Sequence, residues 1–481
     1  MTSPPTSDRK RRVWIKRLLF ALILSPFLAL VGAYYFLDSP PPEDSDLRPP
    51  AIVVADESNG LVLLGEAAAE IRWPEEPPVE TGELSDDGEA STDDDDDDDD
   101  DDGDHEEKAS TEHLSKADRL NLLSGGKEDW EPDLVAEMLE LNRSVLEKLD
   151  RAIEMESFAY APITEAHQST FRTLLHVRKL YMLSALRVRE REVAADGSAA
   201  LKEGLRLVRL GRRLEEAGGP IINYLVASAI SSMARQALVR LLAGEVLGLE
   251  DLKSGLRELD RLGPARNTLR TTIRAEYAYQ GLIVEEIAHG EIPNEEPDLD
   301  MWAKPARPIW PWRRRCFFLP NHFKRFSSEL CREILSAVPP AGPWRSVDWQ
   351  SFLDLAPNRW LPVRNGVGLH GVSATVGAYR HLVDGYQINR VEFELFRLTL
   401  ALKGFRKAQG RLPEKLEELV PEWIAEITKD PFDGQPLRYD RARRVIWSIG
   451  NDGKDSLGAF EPDPNFLTPD ASEPTVKLPF E

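Results

Sequence analysis

Cysteine and histidine are scarce in this chain, and their scarcity limits the kinds of site it can hold. Cys316 and Cys331 are the two cysteines among 481 residues, and the eight histidines show no metal-ligand spacing. Since His322 alone lies near the cysteines, a zinc site of the usual cysteine and histidine pattern is excluded. In an oxidising compartment Cys316 and Cys331 can form a disulfide, worth about 3 kcal/mol, and two buried free thiols are the alternative.

Recognisable catalytic motifs are also absent from the sequence. Ser373 lies near His370, but it does not stand in the G-x-S-x-G turn that presents a nucleophilic serine. The glycines of residues 365–377 suggest a phosphate loop, yet no Lys-Ser or Lys-Thr pair follows them. We therefore predict a protein without catalytic activity. The alternative is an exported hydrolase whose site is assembled in the helical body from residues distant in sequence.

Basic residues are absent from 75–107, a segment with 20 acidic residues that include ten consecutive aspartates at 93–102. This segment carries most of the formal net charge of −23. Mutual repulsion and the lack of apolar side chains leave nothing to offset the entropy lost on folding. We therefore predict that residues 38–125 form a disordered, acidic and proline-rich stalk, interrupted by a short helix at 60–71 that Asn59 caps.

Charged residues are absent from 18–37 as well, and these twenty residues are mostly apolar. A helix of that length covers about 30 Å, the thickness of the hydrocarbon core of a bilayer. Six lysines and arginines in residues 1–17 place this tail in the cytoplasm. The pattern predicts a single transmembrane helix with the rest of the chain exported. A signal peptide cleaved after Val31-Gly32-Ala33 is the alternative, and it exports the same residues.

Residues 126–290 show helical periodicity interrupted by turn signals, so we predict an antiparallel, hairpin-like helical body. Its first helix is predicted to open at Pro132 and to run as one helix through residue 149, since the apolar residues there recur at steps of three and four. The helix from Ile221 to Leu242 begins with fourteen uncharged residues and is expected at the buried centre of this body. A second membrane span is the alternative, but Arg235 and Arg240 interrupt the run before it reaches bilayer thickness. Helical arrays of this kind usually bind proteins.

Residues 291–385 are rich in proline and tryptophan and are predicted to connect the body to further helices. Trp302, Trp310 and Trp312 precede three consecutive arginines at 313–315. Interleaved aromatic and basic residues suit binding to nucleic acid or to a membrane surface. An exported location argues against nucleic acid, which leaves packing of these aromatics on the body and contact with the membrane surface as the two interpretations.

Residues 386–461 carry the most specific local pattern in the chain. An amphipathic helical pattern from Val391 to Phe405 ends at Gly410. Two antiparallel strands are then predicted at 437–440 and 444–449, followed by a tight loop that ends at Asp455. We predict a small α+β hairpin module here, with residues 462–481 as a flexible tail.

Two motifs of this module, D-P-F-D-G-Q-P-L-R-Y at 430–439 and S-I-G-N-D-G-K at 448–454, resemble those of the major pseudopilin of type II secretion. The resemblance covers residues 386–458. It implies a calcium site in the loop, with the carbonyl of Ile449 and the carboxylate of Asp452 as ligands. The further acidic ligand of the pseudopilin has no clear counterpart, and Asp455 or Asp463 takes its place. An Asn-Asp-Gly turn that needs no ion is the alternative.

Across its length the chain is similar to uncharacterised membrane-anchored proteins of planctomycete-type bacteria. That similarity implies the bacterial cytoplasmic membrane as location, with the bulk of the chain extracytoplasmic. The predicted fold class is mainly α: a repeat-like helical body with a small C-terminal α+β module, an N-terminal transmembrane helix and a disordered acidic stalk. The predicted function is a scaffold or adaptor that holds an unknown protein partner on the helical body, without nucleic acid.

Overall fold

The computed structural model describes residue 25 and residues 37–50, 54–74, 115–125, 130–160, 169–263, 268–289, 319–339, 344–354, 366–458 and 473–480. Most of the predicted anchor, the acidic run 75–107 and the tryptophan-rich residues 302–312 lie outside these residues. The described part is mainly helical and carries one small antiparallel sheet, as the sequence predicts.

Twelve α-helices and three strands make up the regular structure of the described residues. The helices are α1 (Gly60–Ala69), α2 (Lys116–Gly125), α3 (Pro132–Leu141), α4 (Arg143–Glu154), α5 (Ser169–Val193), α6 (Gly197–Glu216), α7 (Ile221–Ala243), α8 (Leu249–Leu262), α9 (Thr268–His289), α10 (Pro320–Ala337), α11 (Trp349–Leu353) and α12 (Gly366–Gln409). The strands are β1 (Arg438–Asp440), β2 (Val445–Trp447) and β3 (Thr475–Lys477), which pair antiparallel in that order.

Asn142 divides what the sequence pattern predicts as one helix between residues 132 and 149 into α3 and α4. Its side-chain amide donates to the carbonyl of Met138 at 2.9 Å, one helical turn back. The same side chain pairs with the backbone of Arg72, accepting from its N–H and donating to its carbonyl at 2.8 Å each. Because an asparagine side chain competes with backbone hydrogen bonds, the helix ends here and the chain after α1 is held against it.

Helix α7 is the one described helix that is long and apolar enough to cross a membrane, judged by length and composition. Half of its most apolar stretch is buried against other helices, chiefly α6 and α12. Arg235 within it is also buried, at 4% exposure. These contacts give α7 the position of a core helix.

The core consists of two hydrophobic clusters joined by α12. The main cluster contains side chains of α1 to α8, of the second half of α12 and of the C-terminal residues 412–446 and 478–480. The strap cluster, named for the segment that covers it, contains side chains of α9, α10 and the first half of α12, together with Leu47. At 1.5 Å per residue the 44 residues of α12 extend about 66 Å, far enough to serve both clusters.

Residues 38–47, here called the N-terminal strap, lie against α9 and α10. This region was predicted to belong to an extended stalk, whereas Leu47 is fully buried in the strap cluster. Residues 60–69 form the predicted short helix, and α2 also buries Leu120 and Leu123 in the main cluster. The acidic run therefore connects α1 to α2, and both of these helices pack on the body. It does not lie between the anchor and the first segment that contacts the body, as the predicted stalk would.

The C-terminal residues 473–480 also differ from the flexible tail predicted for 462–481. They supply β3, and they bury Leu478 and Phe480 in the main cluster. The module itself is not separate from the body, because its residues share that cluster. Within the module, Gly404 of α12 lets Trp423 pack closely, since an added Cβ would lie 2.1 Å from its indole ring.

Candidate partner-binding groove

The predicted calcium ligands lie on one loop, but their side chains point to different partners. Asp452 is exposed and accepts the backbone N–H of Lys454 at 3.0 Å, as in a simple Asx turn. Asp455 accepts the indole N–H of Trp447 at 3.0 Å and the N–H of Leu457 at 2.9 Å. Among the described residues no three acidic, histidine or cysteine side chains form a metal-holding group.

A guanidinium stands among the acidic side chains of this module. Arg438 donates to the fully buried Asp430 at 2.6 Å, also contacts Asp433, and lies 3.8 Å from Asp455. A further carboxylate beside this loop belongs to Glu473, which accepts the backbone N–H groups of Ser456 at 2.6 Å and Gly458 at 3.0 Å. Because the protein's own donors already bind these carboxylates, calcium at this loop stays a prediction that titration has to test.

Cys331 is a free and fully buried thiol that donates to the hydroxyl of Tyr379 at 3.2 Å. Its predicted disulfide partner, Cys316, lies outside the described residues. Burial raises the pKa of the Cys331 thiol to about 12, so it is protonated at neutral pH. A thiol in that state and without access to solvent does not serve as a nucleophile.

A polar network, buried except at Glu392, links three helices of the body. It comprises Arg212 and Glu215 of α6, Ser231 and Arg235 of α7, and Asn389 and Glu392 of α12. Glu215 is 2% exposed and accepts from Ser231 and from Asn389 at 2.8 Å each. Because Glu215 of α6 and Arg235 of α7 both bind Asn389 of α12, this network fixes the register of α6, α7 and α12.

An open groove of about 650 Å³ lies where α1 crosses α4 and α6. Its size is within the range of roughly 300–1,000 Å³ that ligand pockets occupy. A smaller cavity of about 260 Å³ lies under the N-terminal strap, between Leu47, Tyr277 and Phe323. The larger groove is the better candidate for a partner, because it opens on a surface of the helical body.

Asn59 fixes the helix that forms one wall of the groove. Its side-chain oxygen caps α1 by accepting the N–H of Leu61 at 3.1 Å, as the sequence predicts. The same side chain pairs with the backbone of Ala159, a hundred residues away, donating to its carbonyl at 2.7 Å. Gly60 allows this approach, since a Cβ there would lie 2.3 Å from the ring of Phe158. Helix α1 is thereby held beside the end of α4.

The groove combines a half-buried apolar floor with a charged rim. Val62, Leu63 and Met155 form the floor. The rim carries five carboxylates and two guanidinium groups: Asp56, Glu57, Glu66, Asp150 and Glu154, with Arg151 and Arg206. The rim is therefore acidic, and its apolar floor favours an occupant that has an apolar face of its own.

The rim carboxylates divide into paired and unpaired groups. Asp150 and Glu154 face the arginines of α5 and α6: Arg206 lies 3.2 Å from Asp150 and 3.7 Å from Glu154. Asp56, Glu57 and Glu66 are exposed and form no ion pair within the described part of the chain. These three unpaired charges are the ones available to a basic partner.

Sequence reasoning missed both this groove and Glu473. The prediction placed Asp56 and Glu57 in the stalk and Glu473 in the flexible tail. The first two were therefore not considered as part of a site on the helical body, and Glu473 was not considered as a neighbour of the predicted calcium loop. A signal for the groove was present, because the Asn59 cap and the apolar spacing of residues 61–71 mark an amphipathic helix that needs a surface to pack on.

Comparison of the chain with protein-family models, with curated proteins and with solved structures found no match. The resemblance of residues 386–458 to the pseudopilin module therefore stays a prediction.

Proposed function

We propose that this chain is an adaptor anchored in the bacterial cytoplasmic membrane, which holds a protein partner on the extracytoplasmic side. The uncharged residues 18–37, preceded by six basic residues, support a single transmembrane helix with its N-terminus inside. The acidic groove between α1, α4 and α6 supports a binding role for the helical body. The observation that carries the proposal is the set of three exposed and unpaired carboxylates above an apolar floor.

The partner segment that fits this groove is a basic, amphipathic helix. Its apolar side would cover Leu63 and Met155, and its lysines or arginines would meet Asp56, Glu57 and Glu66. Exposed ion pairs of this kind contribute about 0.2–1 kcal/mol each, so burial on the floor supplies most of the affinity and the rim supplies selection by charge. Helix-in-groove binding of this type is a common mode of peptide recognition.

Photo-crosslinking from inside the groove tests this proposal. A benzophenone amino acid replaces Gly65 of α1, where a side chain would meet no neighbour within 4 Å. The probe is an amphipathic lysine-leucine peptide of about 18 residues, long enough to form a helix. We expect the peptide to crosslink to the chain, and the double variant Glu57→Lys/Glu66→Lys to lower the yield about ten-fold at subsaturating peptide.

The crosslink forms only with peptide that lies beside position 65. Peptide bound to the acidic run 75–107 therefore does not add to the measured yield. Glu417→Lys/Glu426→Lys, at two exposed positions of the C-terminal module, is the matched control and is expected to leave the yield unchanged. Equal yields from the groove variant and the control, or an equal yield with a neutral peptide of the same apolar face, would contradict the proposed partner.

A further inference from the structure

The first residue after the uncharged run is fixed to the body. Both carboxylate oxygens of Asp38 accept backbone N–H groups at the start of α10, from Asn321 at 2.8 Å and from His322 at 3.1 Å. These are the orphan donors of a helix N-terminus, and a carboxylate satisfies them while matching the positive end of the helix dipole. Asp38 therefore caps a helix that lies 283 residues further along the chain.

The rest of the strap is held along the same helix. Arg325 donates to the carbonyl of Pro40 at 2.9 Å, one turn after the cap. Arg332 donates to both carboxylate oxygens of Asp46 at 3.0 and 2.8 Å and also to the carbonyl of Glu43. The fully buried Leu47 ends the strap. Contacts spread over ten residues leave no slack between the end of the uncharged run and α10.

The second helix at this end is α9. Lys324 of α10 pairs with Glu285 in the last turns of α9, and Tyr277 of α9 donates to Asp44 of the strap at 3.0 Å. The start of α10 and the end of α9 therefore lie side by side, next to Asp38. If residues 18–37 cross the bilayer, Asp38 emerges within the headgroup layer, which is about 5–7 Å thick on each side.

We infer that the body sits directly on the membrane surface, with the end of α9 and the start of α10 against the lipid headgroups. This inference rests on the proposed transmembrane anchor. The predicted stalk would hold the body away from the bilayer, whereas the docked strap places the body in contact with it. The C-terminal module lies far along α12 from this contact. Between Tyr379, which contacts α10, and Phe405, which packs with the strands and loops of the module, α12 extends about 39 Å.

The test places a benzophenone amino acid at one of two exposed positions in the full chain. Ala288 lies in the last turn of α9, at the inferred contact, and Glu426 lies in the C-terminal module. Each protein is reconstituted into vesicles of equal parts phosphatidylcholine and phosphatidylglycerol, floated on a density gradient and irradiated. We expect several-fold more lipid adduct, measured by mass spectrometry, at position 288 than at position 426.

Release of the strap supplies a second comparison. Asp38→Ala/Arg325→Ala removes the contacts of Asp38 and Pro40 with α10, whereas the control Glu333→Ala/Arg345→Ala removes an ion pair that does not touch the strap. With the strap still held by Arg332, the freed residues 38–42 span up to ~17 Å, so the adduct at 288 should fall several-fold in the first variant and stay unchanged in the second.

The outcomes separate the two proposals. If the chain floats with the vesicles but position 288 gives no more lipid adduct than position 426, the anchor stands and the inferred membrane contact is wrong. If the chain does not float, the anchor itself fails, and the inferred contact fails with it. The comparison of 288 with 426 uses the unaltered strap, so it remains decisive even if Asp38→Ala/Arg325→Ala prevents folding.

Discussion

The N-terminal strap and the C-terminal segment 473–480 both return to the helical body, and they are attached in different ways. The strap is held largely by arginines that reach half-exposed or exposed acceptors, with Leu47 as its buried apolar side chain. The C-terminal segment pairs with β2 and buries Leu478 and Phe480. Exposed ion pairs are weak and screened by salt, whereas apolar burial is not. The strap is thus the attachment that high salt is expected to weaken more.

The largest expected effect is on the apolar attachment. Phe480 is 3% exposed, and its ring lies 5.0 Å from the ammonium group of Lys403. Phe480→Ala should lower the free energy of local opening of β3 by about 3 kcal/mol, the lower end for a buried phenylalanine. Hydrogen exchange of the Ser448 and Leu478 amides, which donate between β2 and the C-terminal segment, reports this opening.

Lys477→Ala, at an exposed position of the same strand, is the control for Phe480→Ala and is expected to change the opening free energy little. The strap amides, such as that of Leu47, should keep their exchange rates in both variants. A loss of protection in the strap after Phe480→Ala would mean that the two attachments are one cooperative unit.

Lowering the pH should weaken the attachment of the strap and strengthen the attachment of residues 473–480. The hydrogen bond from Arg332 lowers the pKa of Asp46, so its stabilisation of the strap is present above the unfolded pKa of about 4 and is lost as pH falls through the folded value. Burial, with the nearby charges of Asp455 and Asp452, raises the pKa of Glu473. Its contribution is present at low pH and is lost as pH rises from about 4.3 through the folded value.

Exchange protection, corrected for the intrinsic pH dependence of the rates, checks this prediction. As the pH falls from 7 through the folded pKa of Glu473, we expect protection to rise at 473–480. Protection at the strap should stay constant over that range and weaken only below about pH 4. Glu473→Gln should abolish the first change and Asp46→Asn the second. Parallel responses of the two segments in the unaltered chain would show that these carboxyl groups do not control the attachments.

The smallest expected effect concerns calcium at the C-terminal module. Since Arg438 already neutralises Asp430 and Asp433, we expect 1 mM calcium to leave the protection of 473–480 in the unaltered chain nearly unchanged. Arg438→Gln removes that cation, and calcium should then increase the protection by about 1.4 kcal/mol at ten times its dissociation constant. A calcium response of the unaltered chain that Asp452→Ala abolishes would instead establish the loop site that the pseudopilin resemblance implies.

Much of the helical part followed from local pattern. The uncharged start of α7, the Asn59 cap of α1 and the Gly410 stop after α12 each depend on residues within a few positions of one another. The first two strands were predicted for the same reason, since their apolar alternation and the turn between them are local. The split at Asn142 was missed because it depends on Arg72, seventy residues earlier.

The sequence by itself determined the mainly helical class, the small antiparallel hairpin and the uncharged run before Asp38, because these depend on side-chain periodicity and composition. The tertiary structure alone decided that the strap caps α10, that 473–480 completes the sheet, and that Asp56 and Glu57 border a groove. Each of these joins segments that are far apart in sequence. Such pairings depend on which polar and apolar groups meet after the chain has closed, and local pattern does not record that.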